Sequence, residues 1–229
     1  MEIIRVENIS RNFIMGRETV QALKNVNISI KSGAFTILRG RSGSGKTTLI
    51  NLIGSLDLPT AGKIQYLGSE ITGLSEEERD NIRRNTMGFV FQSVAIISMF
   101  SAYENIEFGL RLSSYKLSER RARVEECLQL VNLGKRMHHM PAELSGGEQQ
   151  RIAIARAIAH KPNVIFADEP TAQLDTHTGL QIVRLFKFLI EKEGLTVVMT
   201  THDPEMMKVA DEVYTLEDGE ITGHLVNRS

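Results

Sequence analysis

An α/β fold built on a parallel sheet, with a helical segment inserted in its middle, is what the sequence predicts. Three features carry this: an apolar strand running into a glycine loop and a helix at residues 35–54, a strand–helix–strand run after residue 160, and a helix-rich stretch between them. Strand, helix, strand in that order needs a crossover, and hence parallel pairing within one sheet. The core is therefore expected over residues 1–92 and 161–229, with an antiparallel β subdomain near the N-terminus and an α-helical subdomain over 93–160.

Near the N-terminus, EIIRVENI and VQALKNVNISIKSGAFTILRG carry alternating or β-branched runs interrupted at Lys31-Ser32-Gly33, which reads as antiparallel strands joined by a turn. Phe35–Leu38 forms an apolar strand that enters the first glycine loop, and TTLINLIG continues it as a helix. In SEEERDNIRR, Ser75 with Glu78 three residues on is the capping-box signature of a short helix. The longest uncharged stretch runs from Thr86 to Tyr103. Gln92, Gly88 and three serines interrupt it, so a strand followed by a loop fits better than a membrane span, which needs ~20 predominantly apolar residues.

Within Ser118 to Asn132, Val124, Cys127, Leu128 and Val131 follow the i, i+3, i+4, i+7 spacing of an amphipathic helix. That helix buries Cys127 and has Gly134 beyond it as a C-terminal stop. ELSGGEQQRIAIARA places Ser145 and two glycines at the start of a good helix former. NVIFAD, LTVVMTT and DEVYTLEDGEI are short apolar strands, the first two separated by the helical GLQIVRLFKFLIEKEG, and Asp218-Gly219 reads as a hairpin turn.

The 229 residues, 41% of them hydrophobic, suffice for a packed core. A formal net charge of −1 offers no basic field for nucleic acid or anionic lipid, and no nucleic-acid partner is expected. The single cysteine cannot form an internal disulfide, and MEIIRVEN has neither a basic n-region nor an apolar h-region. A reduced, cytoplasmic protein is expected. His138 and His139 lack cysteine or carboxylate partners at metal-ligand spacing and read as solvated loop residues.

Gly40-Arg41-Ser42-Gly43-Ser44-Gly45-Lys46-Thr47 matches G-x-x-x-x-G-K-[ST] without departure. Such glycines let the backbone turn its N–H groups inward, and the following helix adds its positive end, so phosphate oxygens would be surrounded by donors. Lys46 is expected to reach the β- and γ-phosphates, and Thr47 to complete a Mg²⁺ shell. VIFADEP ends a strand in Asp168, the expected metal-site residue, and in Glu169, placed to polarise an attacking water as general base. His202 in MTTHDP and Gln92 after GFVF also end apolar strands; spacing alone leaves open whether they touch ligand or cap the strand.

Together these segments resemble the ATP-binding subunit of an ABC transporter over essentially the whole chain. GRSGSGKTT, which includes Thr48, is similar to Walker A, and VIFADEP to Walker B. LSGGEQQ, with Ser145, Gly146, Gly147 and Glu148, is similar to the signature. Gln92 falls at the Q-loop glutamine, His202 at the H-loop histidine, Asp175 in TAQLD at the D-loop aspartate, and Phe13 in RNFIMG where the family places an aromatic that stacks on adenine. The resemblance implies a RecA-like P-loop NTPase core that binds ATP and Mg²⁺, with Glu169, His202 and Gln92 in catalysis and Thr47, Gln92 and Asp168 at the metal. It also implies a head-to-tail dimer in which the signature of one copy closes over the γ-phosphate held by the other. A transmembrane permease would hold that dimer at the inner face of the cell membrane.

VQALKNVNISIKSG, NLIGSLDLPTAG, IRRNTMGFVFQ and ELSGGEQQRIAIARAIA are similar to the MacB/LolD-like branch, which energises export or extraction of lipoproteins, peptides and antibiotics. Two segments depart from it. Ala172-Gln173 stand where the branch usually has Gly-Asn, and SVAIISMFSAYEN replaces an NLLP-like run in the region that contacts the permease. Ile96, Ile97, Met99 and Phe100 are the candidate apolar surface there. FtsE-like regulators and ABC ATPases outside transport share the same motifs.

Overall fold

The structure, a computed structural model, describes residues 1–16 and 18–227. Strands β1 (Glu2–Met15), β2 (Glu18–Lys31), β4 (Ala61–Tyr66) and β5 (Ser69–Glu70) form a four-stranded antiparallel sheet in the order β2-β1-β4-β5. Strands β3 (Phe35–Arg39), β6 (Met87–Val90), β7 (Val164–Ala167), β8 (Thr196–Thr201), β9 (Glu212–Glu217) and β10 (Glu220–Val226) form a six-stranded sheet in the order β10-β9-β3-β8-β7-β6. Its pairs are parallel except β9–β10, a hairpin turned at Asp218-Gly219 with both residues at positive φ, as the Asp-Gly pair predicts. The helices are α1 (Lys46–Ile53), α2 (Glu76–Thr86), α3 (Ala102–Leu112), α4 (Arg120–Leu130), α5 (Gly146–Ile158), α6 (Thr176–Glu193) and α7 (Pro204–Met207).

The central strands are buried on both faces, and their side chains divide with period two. Phe35, Ile37, Ile165, Ala167, Val197 and Met199 join the core shared with α3–α6, whereas Leu38, Val164, Phe166 and Val198 join the core shared with α1 and the antiparallel sheet. This double burial explains one difference from the sequence reading. Lys31-Ser32-Gly33 is not a turn between antiparallel neighbours: β2 and β3 lie in different sheets, and the antiparallel partner of β2 is β1, with Met15 opposite Glu18. Periodicity cannot distinguish an antiparallel partner from a buried parallel strand when both runs are apolar.

Helix α4 forms as expected and buries Cys127, whose thiol burial pushes up to about 12, so it stays protonated. Asn132, not Gly134, ends it: Asn132 takes φ 61, and the Leu133 N–H reaches the Leu128 carbonyl at 2.7 Å. The Thr86–Tyr103 run divides into β6, an irregular loop and the start of α3. No helix among the described residues is long and apolar enough to cross a membrane.

Arg123 of α4 joins the helical region to the core. Its buried guanidinium donates to the Ile158 and Ala159 carbonyls at the end of α5 (2.9 and 3.0 Å) and pairs with Glu193 at the end of α6 (2.9 Å) and with Glu126 (2.8 Å). A cation at a helix C-terminus complements the partial negative charge of its unpaired carbonyls.

Candidate active site

The candidate site lies at the C-terminal ends of β3, β7 and β8. Gly40 and Gly45 let the loop between β3 and α1 wedge against its neighbours. A Cβ on Gly40 would stand 2.3 Å from the Leu216 carbonyl oxygen, and one on Gly45 2.7 Å from that of Ala22, where φ is also +103°. Gly45 caps α1 without a side-chain hydrogen bond, so the first N–H groups of the helix face outward as unpaired donors. Lys46, buried, folds back over the loop and donates to the Gly40 and Arg41 carbonyls at 2.9 and 3.0 Å.

Across from the loop, β7 delivers its two carboxylates. Asp168 accepts from the Thr47 hydroxyl at 3.2 Å and from the Thr200 hydroxyl at 2.6 Å. Glu169 is held at φ 43 with its N–H donating to the Thr200 Oγ1 at 2.8 Å, and its carboxylate stands 3.6 Å from the Lys46 Nζ and 3.9 Å from the His202 Nδ1. Lys46, Thr47, Asp168, Glu169 and His202, all singled out in the sequence, thus converge on one place. Thr200, fully buried, was not singled out, yet its hydroxyl bridges both carboxylate residues; the only signal for it was a polar residue near the end of the apolar run LTVVMTT.

The other candidates sit at different distances from this cluster. Gln92 is exposed in the loop after β6, the neighbour of β7, which leads into Asp168. Thr48 is half-buried on α1, Ser42 and Gly43 are exposed at the loop's rim, and the buried Ser44 hydroxyl has no partner among the described residues. Phe13 lies outside the hydrogen-bonded cluster, on β1, partly exposed, with the Arg11 guanidinium 4.6 Å from its ring centroid. Of the proposed apolar surface, Met99 is open and Phe100 packs edge-on against Phe108 at 5.9 Å, but Ile96 turns to the core.

Ser145 caps α5 in a full capping box: its hydroxyl accepts the Glu148 N–H at 3.3 Å, and its own N–H donates to the Glu148 carboxylate at 2.9 Å. Those bonds from Ser145 hold the Glu148 carboxyl below its ordinary range. The glycines that follow permit close approach to α6. A Cβ on Gly147 would stand 2.6 Å from the Thr178 Cγ2, and one on Gly146 3.6 Å from Leu174. Asp175 caps α6, accepting from the Thr178 N–H at 3.0 Å and its hydroxyl at 2.6 Å, which depresses the Asp175 pKa. Residues 145–148 and Asp175 therefore form one edge. Among the described residues, none of them shares a hydrogen bond or ion pair with the glycine loop, Asp168 or Glu169.

No group of three His, Cys, Asp or Glu side chains that could cage a metal occurs among the described residues. Mg²⁺ does not need one, since it keeps several waters and takes one or two carboxylates beside phosphate oxygens. Thr47 and Asp168, already 3.2 Å apart, fit that demand.

Comparison with known proteins identifies the family. Residues 23–172 match the ABC transporter family. An uncharacterised ABC transporter ATP-binding protein of Methanocaldococcus jannaschii is 44% identical over 224 residues, 96% of this chain and 95% of its own. The macrolide export ATP-binding/permease protein MacB of Marinobacter nauticus is 40% identical over 219 residues, which cover 96% of this chain but 34% of that longer protein. The dimeric post-hydrolysis structure of the same archaeal cassette, bound to ADP and Pi, superposes with a TM-score of 0.89 at 41% identity over 99% of both chains.

Proposed function

The chain belongs to the ABC transporter family as an ATP-binding and ATP-hydrolysing subunit, and we propose that it works as a head-to-tail homodimer that energises a MacB-type export permease. One observation supports this reading: among the described residues the exposed start of α5 at Ser145–Glu148 shares no hydrogen bond or ion pair with the glycine loop of the same copy, as a site completed by a second copy predicts.

In this reading the free N–H groups of the loop and of the α1 N-terminus receive the phosphates, and Lys46 exchanges the Gly40 and Arg41 carbonyls for phosphate oxygens. Thr47, Asp168 and Gln92 would hold Mg²⁺, which neutralises charge developing on the phosphate oxygens. Glu169 takes a proton from the attacking water, with Thr200 fixing its backbone and His202 beside its carboxylate. Phe13 offers a ring face to adenine. Gly146 and Gly147 of the second copy donate to the γ-phosphate, joined by the Ser145 hydroxyl when it turns from the Glu148 carboxylate, with Asp175 beside them and the Ser145 N–H still on Glu148 to hold the helix start. Hydrolysis removes those contacts, and the dimer reopens because they were what favoured the closed state.

The permease would dock along the exposed edge of β6, where a groove of ≈ 330 Å³ is lined by Leu56, Phe89, Phe108 and Leu112. Phe100 continues that surface through its contact with Phe108. Docking there would hold the protein at the cytoplasmic face of the membrane.

Glu169→Gln tests the chemistry. It should bind ATP, accumulate as a dimer on gel filtration and lose roughly 10²–10⁴-fold in turnover; full turnover removes Glu169 from the role of base. Mixing Lys46→Ala with Ser145→Arg subunits tests the shared site, since a mixed dimer retains one intact half-pair. ATPase activity that fails to recover on mixing counts against a site shared between copies.

A further inference from the structure

Two buried threonine hydroxyls beside the candidate site share one acceptor, and it is a sulfur. The Thr171 hydroxyl donates to the Met206 Sδ at 3.2 Å, and the Thr201 hydroxyl reaches the same atom at 3.8 Å. Neither hydroxyl donates to any other group among the described residues, and all three side chains are buried. A thioether is a weak acceptor on a flexible, polarisable chain, and with water shut out it is what satisfies both donors.

The three residues come from segments that meet only in space. Thr171 lies two residues after Glu169, Thr201 ends β8 immediately before His202, and Met206 belongs to α7. Side chains alternate along β8, so Thr200 faces the carboxylates while Thr201 turns the other way, toward Met206. The strand end that leads into His202 is thus held on both faces. Thr201 also accepts the Asp203 N–H at 3.1 Å, which ties together the residues on either side of His202. The His202 side chain is itself 69% exposed, so its place is set by the backbone that carries it and not by packing around the ring. Glu169, Thr171, His202 and Met206 line one cleft of ≈ 140 Å³. Met206 is also seated on α6, where Gly179 leaves room for it: a Cβ there would stand 2.8 Å from the Met206 Cε.

We propose that Met206 is a positioning residue for turnover. Its sulfur ties the segment after Glu169 to the segment that carries His202, and so sets the His202 ring against the Glu169 carboxylate, 3.9 Å away. This role rests on the reading of Glu169 as the base with His202 beside it, and adds a residue that acts through both of them. Small displacements suffice for an effect, since a misplacement of about 1 Å from a remote change can cost about 10²-fold in rate.

Met206→Leu keeps the volume and removes the acceptor, whereas Thr171→Val removes a donor and keeps the sulfur. In steady-state ATPase assays each should lower kcat by roughly three- to tenfold and leave KM for ATP within about twofold of wild type. The glycine loop and Lys46 share no hydrogen bond with either residue, which is why KM should hold. The double variant should lose no more than Met206→Leu alone, because the second change finds its bond already broken. NMR of the full-length protein supplies a readout independent of turnover. The ring signals of His202, identified among the six histidines by their absence from His202→Ala, should shift in both single variants. A lower urea midpoint with kcat and ring signals unchanged would leave Met206 as packing and overturn the role. A fall in kcat without a ring shift, or a rise in KM at unchanged kcat, overturns it too. Full turnover in His202→Ala removes the reading of His202 itself, and the role of Met206 falls with it; an impaired His202→Ala beside a normal Met206→Leu removes the role of Met206 alone.

Discussion

Thr200→Val replaces a buried hydroxyl with a methyl group of nearly the same volume, so it removes two hydrogen bonds and leaves packing almost unchanged. The bond to Asp168, at 2.6 Å, ends on a carboxylate and belongs to the stronger class, worth about 1.5–3 kcal/mol. The Glu169 N–H, 2.8 Å from the same oxygen, would lose its acceptor, at a cost of about 1–3 kcal/mol for a donor left unpaired. Asp168 and Glu169 are only half-buried and Thr47 remains on Asp168, so water offsets part of the loss. The expected total is about 2–3 kcal/mol, which urea denaturation would read as a lower midpoint at unchanged slope. Turnover should fall as well, because Glu169, at φ 43, loses the bond that fixes its backbone. ATP affinity should hardly change, since the loop and Lys46 make no hydrogen bond to Thr200. Thr200→Ser should restore turnover and lose only about 0.8 kcal/mol for the missing methyl. A Val variant within about 0.5 kcal/mol of wild type, with normal turnover, would refute the argument.

Gly147→Ala drives a Cβ into the Thr178 Cγ2 and should cost about 1–3 kcal/mol of overpacking. It should block ATP-driven dimerisation in a Glu169→Gln background without lowering ATP affinity, and Thr178→Ser, which removes the clashing methyl, should restore the dimer on gel filtration. Arg123→Met leaves Glu193 and two helix-end carbonyls unanswered, and calorimetry should record a loss of about 3–5 kcal/mol. The Glu148 pKa is lower in the folded state than its ordinary 4.5, so its support of the α5 start is complete above 4.5 and disappears as pH falls through the depressed value. Protection of the Ser145 amide, taken relative to its intrinsic exchange rate, should fall over that acid range, and in Glu148→Gln it should be independent of it.

Local chemistry that leaves a repeating or paired mark was readable in the sequence. The Ser75–Glu78 spacing marked the start of α2, and both of its capping-box bonds form. The same spacing at Ser101 and Glu104 starts α3 with an equally complete box, yet it lay behind an uncharged run whose length drew attention to membranes and loops. β5 left no mark strong enough to read, because a two-residue strand has no period. Pairing was the least readable property of all: whether β2 neighbours β3 or β1 depends on which apolar surface meets which, and that is decided between segments distant in sequence.

The site follows the same division. Residues proposed to touch phosphate or water stood out because their types are unusual at strand ends: a lysine after glycines, two acids after VIFA, a histidine after MTT. Thr200, which hydrogen-bonds two of those residues, did not stand out, because threonine in a strand is ordinary there. Thr200 meets Asp168 and Glu169 only when β7 and β8 are set side by side. The two glycine-rich helix starts show the limit most clearly. Read along the chain they look like duplicate anion sites. In space one wraps a lysine poised to release two carbonyls, while the other is pressed against the start of α6, and the close contact of Gly147 with Thr178 makes the second an edge that presents itself outward. In the proposed dimer, what is brought to that edge is the glycine loop of a second copy of the same chain.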